Sequence, residues 1–286
     1  MLFRSAKQVV MTALSAITFL ALEAIGGALT LTYGFNYVVV AVILVSIIIF
    51  ALSMPIAINA AKNGLDIDLL TRGAGFGYLG STVTSLIYAS FTFIFFALEA
   101  AIMAMALNML FGLPLHFGYL IGSVVVIPLV TWGFTFISRF QQFTQFCWLA
   151  LQLLPFIFIL IREHHVLQNW IDFPGFITAR DGSFDFLQLG AVCSVLLSLV
   201  SQVGEQVDQV RFLPKPQHPA RWRWYGAVIA AGPGWVVIGA IKILLGSFLA
   251  VLAFNYGLGA ELASEPTHMY LVAFSYVTHS SSTLLD

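Results

Sequence analysis

The sequence predicts an all-α integral membrane protein with about seven or eight transmembrane helices. Three observations carry that prediction. Of 286 residues, 60% are apolar and only 9% are charged, whereas a soluble domain carries about 25% charged residues. The apolar runs exceed the length of a buried core helix, with short polar clusters between them. Even so, four ionisable residues, Glu23, Glu99, Glu205 and Lys242, fall well inside those runs.

Spans are predicted, in chain order, at 9–32, 36–61, 79–111, 116–137, 145–162, 186–211, 224–255 and 267–284. The run 9–32 is too long for a signal peptide, lacks a small-residue cleavage site, and is followed at once by another span. Loop 163–185 holds His164, His165, Trp170, Asp172, Asp181 and Asp185, and reads as a solvated loop with an interfacial tryptophan. Its adjacent histidines do not share a helical face, and no third ligand is positioned for a metal. Loop 212–224, with Pro214, Pro216, Pro219 and the Arg221–Trp224 run, reads as an inner-surface anchor.

The loops also set the orientation. With the N-terminus in the cytoplasm, nine Lys and Arg residues (Arg4, Lys7, Lys62, Arg72, Arg139, Arg211, Lys215, Arg221 and Arg223) face inward, and two, Arg162 and Arg180, face outward. The net charge of -1 offers no basic field for nucleic acid. Cys147 and Cys193 lie in apolar runs without a second cysteine or histidine nearby, so neither a disulfide framework nor a zinc site is expected. No nucleophile–base pair falls within the spans, and an enzyme is not expected. The partner is the lipid bilayer.

An ionisable side chain at a helix centre costs at least ~2.5 kcal/mol on insertion scales, so each of the four should face the protein interior or a water-filled cavity. For Lys242 the structural reading is a buried pair with one of the glutamates. Glu23 precedes Gly26-Gly27 in the first span, and Glu205 follows Gly204 in the sixth. Glycines there either interrupt a helix that lines a cavity or allow close helix packing. Interruptions at spans one and six would head two five-helix inverted repeats, residues 1–162 and 186–286, within a single domain. In the third span Phe95 and Glu99 share a face at i, i+4. An aromatic wall beside a hydrogen-bonding acid suits a planar heterocycle.

The stretch Asn63-Gly64-Leu65-Asp66-Ile67-Asp68, followed by Leu70-Thr71-Arg72-Gly73-Ala74-Gly75-Phe76-Gly77-Tyr78-Leu79-Gly80, resembles the loop between helices two and three of the nucleobase:cation symporter family. That family includes cytosine, purine, allantoin and hydantoin permeases. One extra residue stands between Arg72 and Phe76 relative to its Arg-x-x-Phe-Gly-x-x-Gly pattern, and the loop should place Arg72 at the inner surface and use its glycines for a tight re-entry into the third helix. Asp208-Gln209-Val210-Arg211 is similar to the family's Asp-x-x-Arg at the end of helix six. By this resemblance the stacking tryptophan of helix three falls near Phe95, its polar neighbour on Glu99, and the helix-six tryptophan near Leu199, which has no ring. The combination of Leu70-Thr71-Arg72-Gly73-Ala74-Gly75-Phe76-Gly77 with Val203-Gly204-Glu205-Gln206-Val207-Asp208 also resembles the permease-like modules ahead of bacterial sensor histidine kinases.

The resemblance implies a five-plus-five inverted-repeat transporter fold in the bacterial inner membrane, here with an incomplete second repeat. It implies uptake of a purine- or pyrimidine-like base by alternating access, driven by Na⁺ or H⁺ and needing no other cofactor. Phe95, Glu99 and Gln202 would contact the substrate, and Glu23 and Glu205 would hold the cation or proton. Gly26, Gly27 and Gly204 would permit unwinding, while Arg72, Asp208 and Arg211 would order the inner surface. The alternatives are a ligand-sensing input module joined to a cytoplasmic signalling domain, and a truncated, inactive permease.

Overall fold

The computed structural model describes residues 5–131, 134–162, 164–177, 184–215 and 221–282, and all regular structure among them is helical. Arg4, Arg180, Asp181, Pro216 and Pro219 lie outside this set, as does the side chain of His164.

The first predicted span forms two helices, α1 (Ala6–Ser15) and α2 (Ala21–Tyr33), joined by an irregular stretch at 16–20. Ser5 caps α1, its side chain accepting from the Gln8 N–H. No side chain of its own segment caps α2, so the first amides of α2 need acceptors from elsewhere. The break is not at Gly26-Gly27, as the sequence suggests. Both glycines lie inside α2 and are buried.

α3 (Phe35–Asn63) is a long apolar helix with Pro55 inside it. The short α4 (Ile67–Thr71) follows, capped by the Asp66 side chain. A π-helical turn at Arg72–Phe76 then leads into α5 (Gly77–Phe111). That turn needs Gly75 at φ 109° and Gly77 at φ 64°, a region disfavoured for side-chain-bearing residues. The glycines of the motif thus make the tight re-entry expected of them. α6 (Leu115–Thr131), α7 (Phe134–Arg162) and α8 (His164–Ile171) come next.

The sixth predicted span consists of α9 (Phe186–Leu197), a 3₁₀ turn at Ser198–Ser201, and α10 (Gln202–Val210). Its irregularity therefore precedes Gly204 rather than coinciding with it. Gly204 is helical and makes room for Tyr88, whose ring would lie 2.7 Å from an added Cβ. The seventh span divides into α11 (Arg221–Ala231) and α12 (Trp235–Asn255) at Gly232-Pro233-Gly234, a break that follows from proline and was not anticipated. α13 (Ala260–Ala263) and α14 (Pro266–Ser282) complete the described chain.

Among the described residues, five segments are long and apolar enough to cross a membrane: Phe35–Asn63, Ile67–Phe111, Phe143–Ile161, Phe186–Val210 and Arg221–Asn255. The chain is thus a multi-pass, all-helical membrane protein by length and composition. The other three predicted spans correspond to α1 with α2, to α6 and to α14, each element being shorter. Large apolar side chains such as Ile47, Leu86, Phe143 and Leu154 are exposed, which suits lipid and not water.

α2 and α12 form the tightest crossing. A Cβ on Gly26 would stand 1.9 Å from the Ile243 carbonyl oxygen, and one on Gly246 would stand 2.1 Å from that of Glu23. Backbones that touch in this way are the usual reason for small residues between membrane helices, where lipid removes the hydrophobic drive to associate. Thr30 Oγ1 donates to Ser247 Oγ at 2.7 Å and adds a polar tie to the same seam.

Residues 164–171 of the expected loop form α8, and the half-buried Trp170 on it turns toward the protein. Its indole N–H donates to Ser247 Oγ at 2.8 Å, and its ring meets Phe35 and Phe248 edge-on. Backbone bonds from Phe176 to Leu31 and from Ile177 to Thr32 dock the following segment onto the end of α2.

Candidate functional site

The break at 16–20 leaves the amides at the start of α2 pointing away from their own helix. Glu99, on α5, supplies the acceptor, with Oε1 taking the Ala21 N–H at 2.8 Å. One turn earlier, Phe95 sets its ring edge-on against Phe19 in the break, centroids 5.3 Å apart. The shared face read from the i, i+4 spacing is therefore real. It faces the break, where the positive end of the α2 dipole favours a carboxylate.

Glu99 also lines a cavity of about 430 Å³, together with Leu20, Phe96, Met103, Trp148 and Thr267. This volume is in the range of small-molecule sites, and its chemistry has the usual form, apolar and aromatic walls with few polar groups. Thr267 Oγ1 is buried and makes no hydrogen bond among the described residues. The aromatic walls come from Phe96 and Trp148. Phe95 packs against Phe19 and Phe91 instead. Trp148 was missed because its run carries no charge to single it out. Its part in the cavity arises only when α7 approaches α5.

Glu23, in the first turn of α2, has no exposed surface. Its Oε1 lies 2.7 Å from Lys242 Nζ and accepts from Gln152 Nε2 at 3.2 Å. Lys242 thus takes the paired-charge reading, with Glu23 as the partner. The Tyr270 hydroxyl and the Glu99 carboxylate lie within the field of Glu23. Gln152 and Tyr270 had no sequence signal beyond being polar groups in apolar runs.

Glu205 belongs to a separate network. Gln202 donates to it, and Gln209 Nε2 reaches its other oxygen at 3.5 Å. The structure thus brings Phe95 and Glu99 together but leaves Gln202 on Glu205, and it divides Glu23 from Glu205. Gly204, Ser201 and Tyr88 line a second cavity of about 410 Å³ between α10, α3 and α5. Beneath it, Arg211 pairs with Asp66 at 2.9 Å and Arg72 with Asp68 at 2.6 Å. Asp208 Oδ1 accepts the Ile67 N–H at 3.3 Å. Asp208 and Arg211 thus knit α4 to α10, whereas Arg72, paired with Asp68, ties the same stretch to α5 through Ser81 Oγ at 3.4 Å.

Among the described residues, no three His, Cys, Asp or Glu side chains gather to hold a metal ion. The chain matches no protein-family model, no curated protein and no solved structure.

Proposed function

We propose that this chain is a secondary transporter of the inner membrane, with its N-terminus in the cytoplasm, carrying a small planar nitrogen heterocycle. One observation carries the reading: a cavity of about 430 Å³ opens beside a broken membrane helix, with Glu99, Phe96 and Trp148 on its wall. Glu99 is the hydrogen-bond acceptor for ring N–H groups, and the aromatic walls offer a stacking face. Broken helices at membrane depth occur where they line a cavity.

The packing supports alternating access. α2 and α12 share backbone contact and so move together. Both cavities border α5, one where it meets the 16–20 break and the other where it meets α3 and α10. In this reading eight crossings form one five-helix repeat and part of a second, and the unit of spans one, two, six and seven rocks against spans three, four and eight.

Uptake of radiolabelled nucleobases into vesicles containing the chain tests the proposal. Accumulation above empty vesicles is expected, and Glu99→Gln should reduce it at least tenfold. Binding without accumulation would support a sensing module instead. No binding across a panel of purines, pyrimidines and hydantoins would reject the ligand class.

A further inference from the structure

Glu23 sits at the depth where a carboxylate requires a positive partner, and the structure supplies one covalently. We propose that Lys242 is a built-in counter-cation that takes the place of a bound alkali-metal ion at Glu23, so that the central site works without sodium. The inference names the coupling chemistry of the transport reading and rests on that reading only for its role in uptake.

Three observations carry it. The ammonium is 2.7 Å from Glu23 Oε1, with side-chain exposures of 6% for Lys242 and 0% for Glu23, so water does not neutralise this carboxylate. Gln152 turns its N–H, rather than its oxygen, to the same Oε1. That is the donor arrangement a carboxylate needs when no metal shares it, whereas a hard cation gathers oxygens. Finally, the backbones of α2 and α12 touch at the pair itself, Gly26 against Ile243, next to Lys242, and Gly246 against Glu23. The ammonium takes the space beside Oε1, while Oε2 is buried and makes no hydrogen bond among the described residues. The nearby Glu99 carboxylate is engaged by the Ala21 N–H, and at Glu23 itself a further monovalent cation would meet the Lys242 ammonium and be repelled by it.

The test is thermal unfolding of the purified full chain in detergent, with NaCl titrated against choline chloride at constant ionic strength. Wild type should show no sodium-specific rise in Tm. Lys242→Ala leaves a buried unpaired carboxylate and a space beside it, so its Tm should fall by roughly 10 °C and recover in a saturable way with sodium. Glu23→Gln combined with Lys242→Ala should regain stability without sodium and lose the response.

A saturable sodium effect on wild type overturns the proposal by itself, even if Lys242→Ala does not fold. A folded Lys242→Ala protein with no sodium response, or one whose response survives Glu23→Gln, also overturns it. No arm needs substrate. Absent nucleobase uptake therefore leaves this inference standing, and sodium-dependent uptake removes it while leaving transport intact.

Discussion

Glu99 Oε1 accepts the backbone N–H of Ala21 at 2.8 Å, a contact between residues 78 apart in sequence. Through it, one side chain of α5 finishes the N-terminus of a half-helix and also presents a carboxylate to the cavity. The structural and binding roles of Glu99 separate by substitution. Glu99→Gln keeps an acceptor oxygen and should hold Tm near wild type while uptake falls. Glu99→Ala leaves the Ala21 amide without a partner and should cost about 1–3 kcal/mol as well. Thermal unfolding run beside the uptake assay checks both.

The α2–α12 crossing predicts a steep contrast among glycines. Gly246→Ala puts a methyl 2.1 Å from the Glu23 carbonyl oxygen, and backbone has little room to yield. The loss should be about 3 kcal/mol or more, seen as poor recovery of folded protein. Gly226→Ala, with nothing within 4 Å, should change stability by no more than about 1 kcal/mol.

Asp66 has two tasks. Its Oδ1 caps α4 through the Leu69 N–H at 2.8 Å, and its Oδ2 pairs with Arg211 at 2.9 Å. Asp66→Asn keeps the cap and weakens the pair, which is partly exposed, and should cost about 0.2–1 kcal/mol. Asp66→Ala loses the cap too and should cost about 1 kcal/mol more. Hydrogen exchange at residues 66–72 should rise more in the alanine variant.

Ser247 joins α2, α8 and α12, since both Thr30 and Trp170 donate to its hydroxyl. Trp170→Phe keeps an aromatic ring and loses one bond, at about 1 kcal/mol. Ser247→Ala strands both donors and should lower Tm further. If the two variants have equal Tm, the hydroxyl is not the shared acceptor.

The charges in apolar runs were the most informative sequence signal, because a carboxylate or ammonium at membrane depth must find a partner or a cavity. Glu23, Glu99, Glu205 and Lys242 each did so. Gly26 and Gly27 carried a weaker signal. Glycine serves both a broken helix and a close crossing, and these two serve the crossing. The break lies instead in Ala16–Leu20, which contains neither glycine nor proline.

Sequence alone was enough for the helical class, the apolar segments, the Gly75–Gly77 re-entry and the shared face of Phe95 and Glu99. Each of these depends on residues within a few turns of one another, since a membrane helix satisfies its backbone within its own segment. Tertiary structure decided which glutamate Lys242 would neutralise, that Glu23 and Glu205 would part, and that Trp148 and not Phe95 would line the cavity. Those outcomes depend on how helices far apart in the chain approach and rotate against one another. Packing sets that geometry, and no local spacing encodes it.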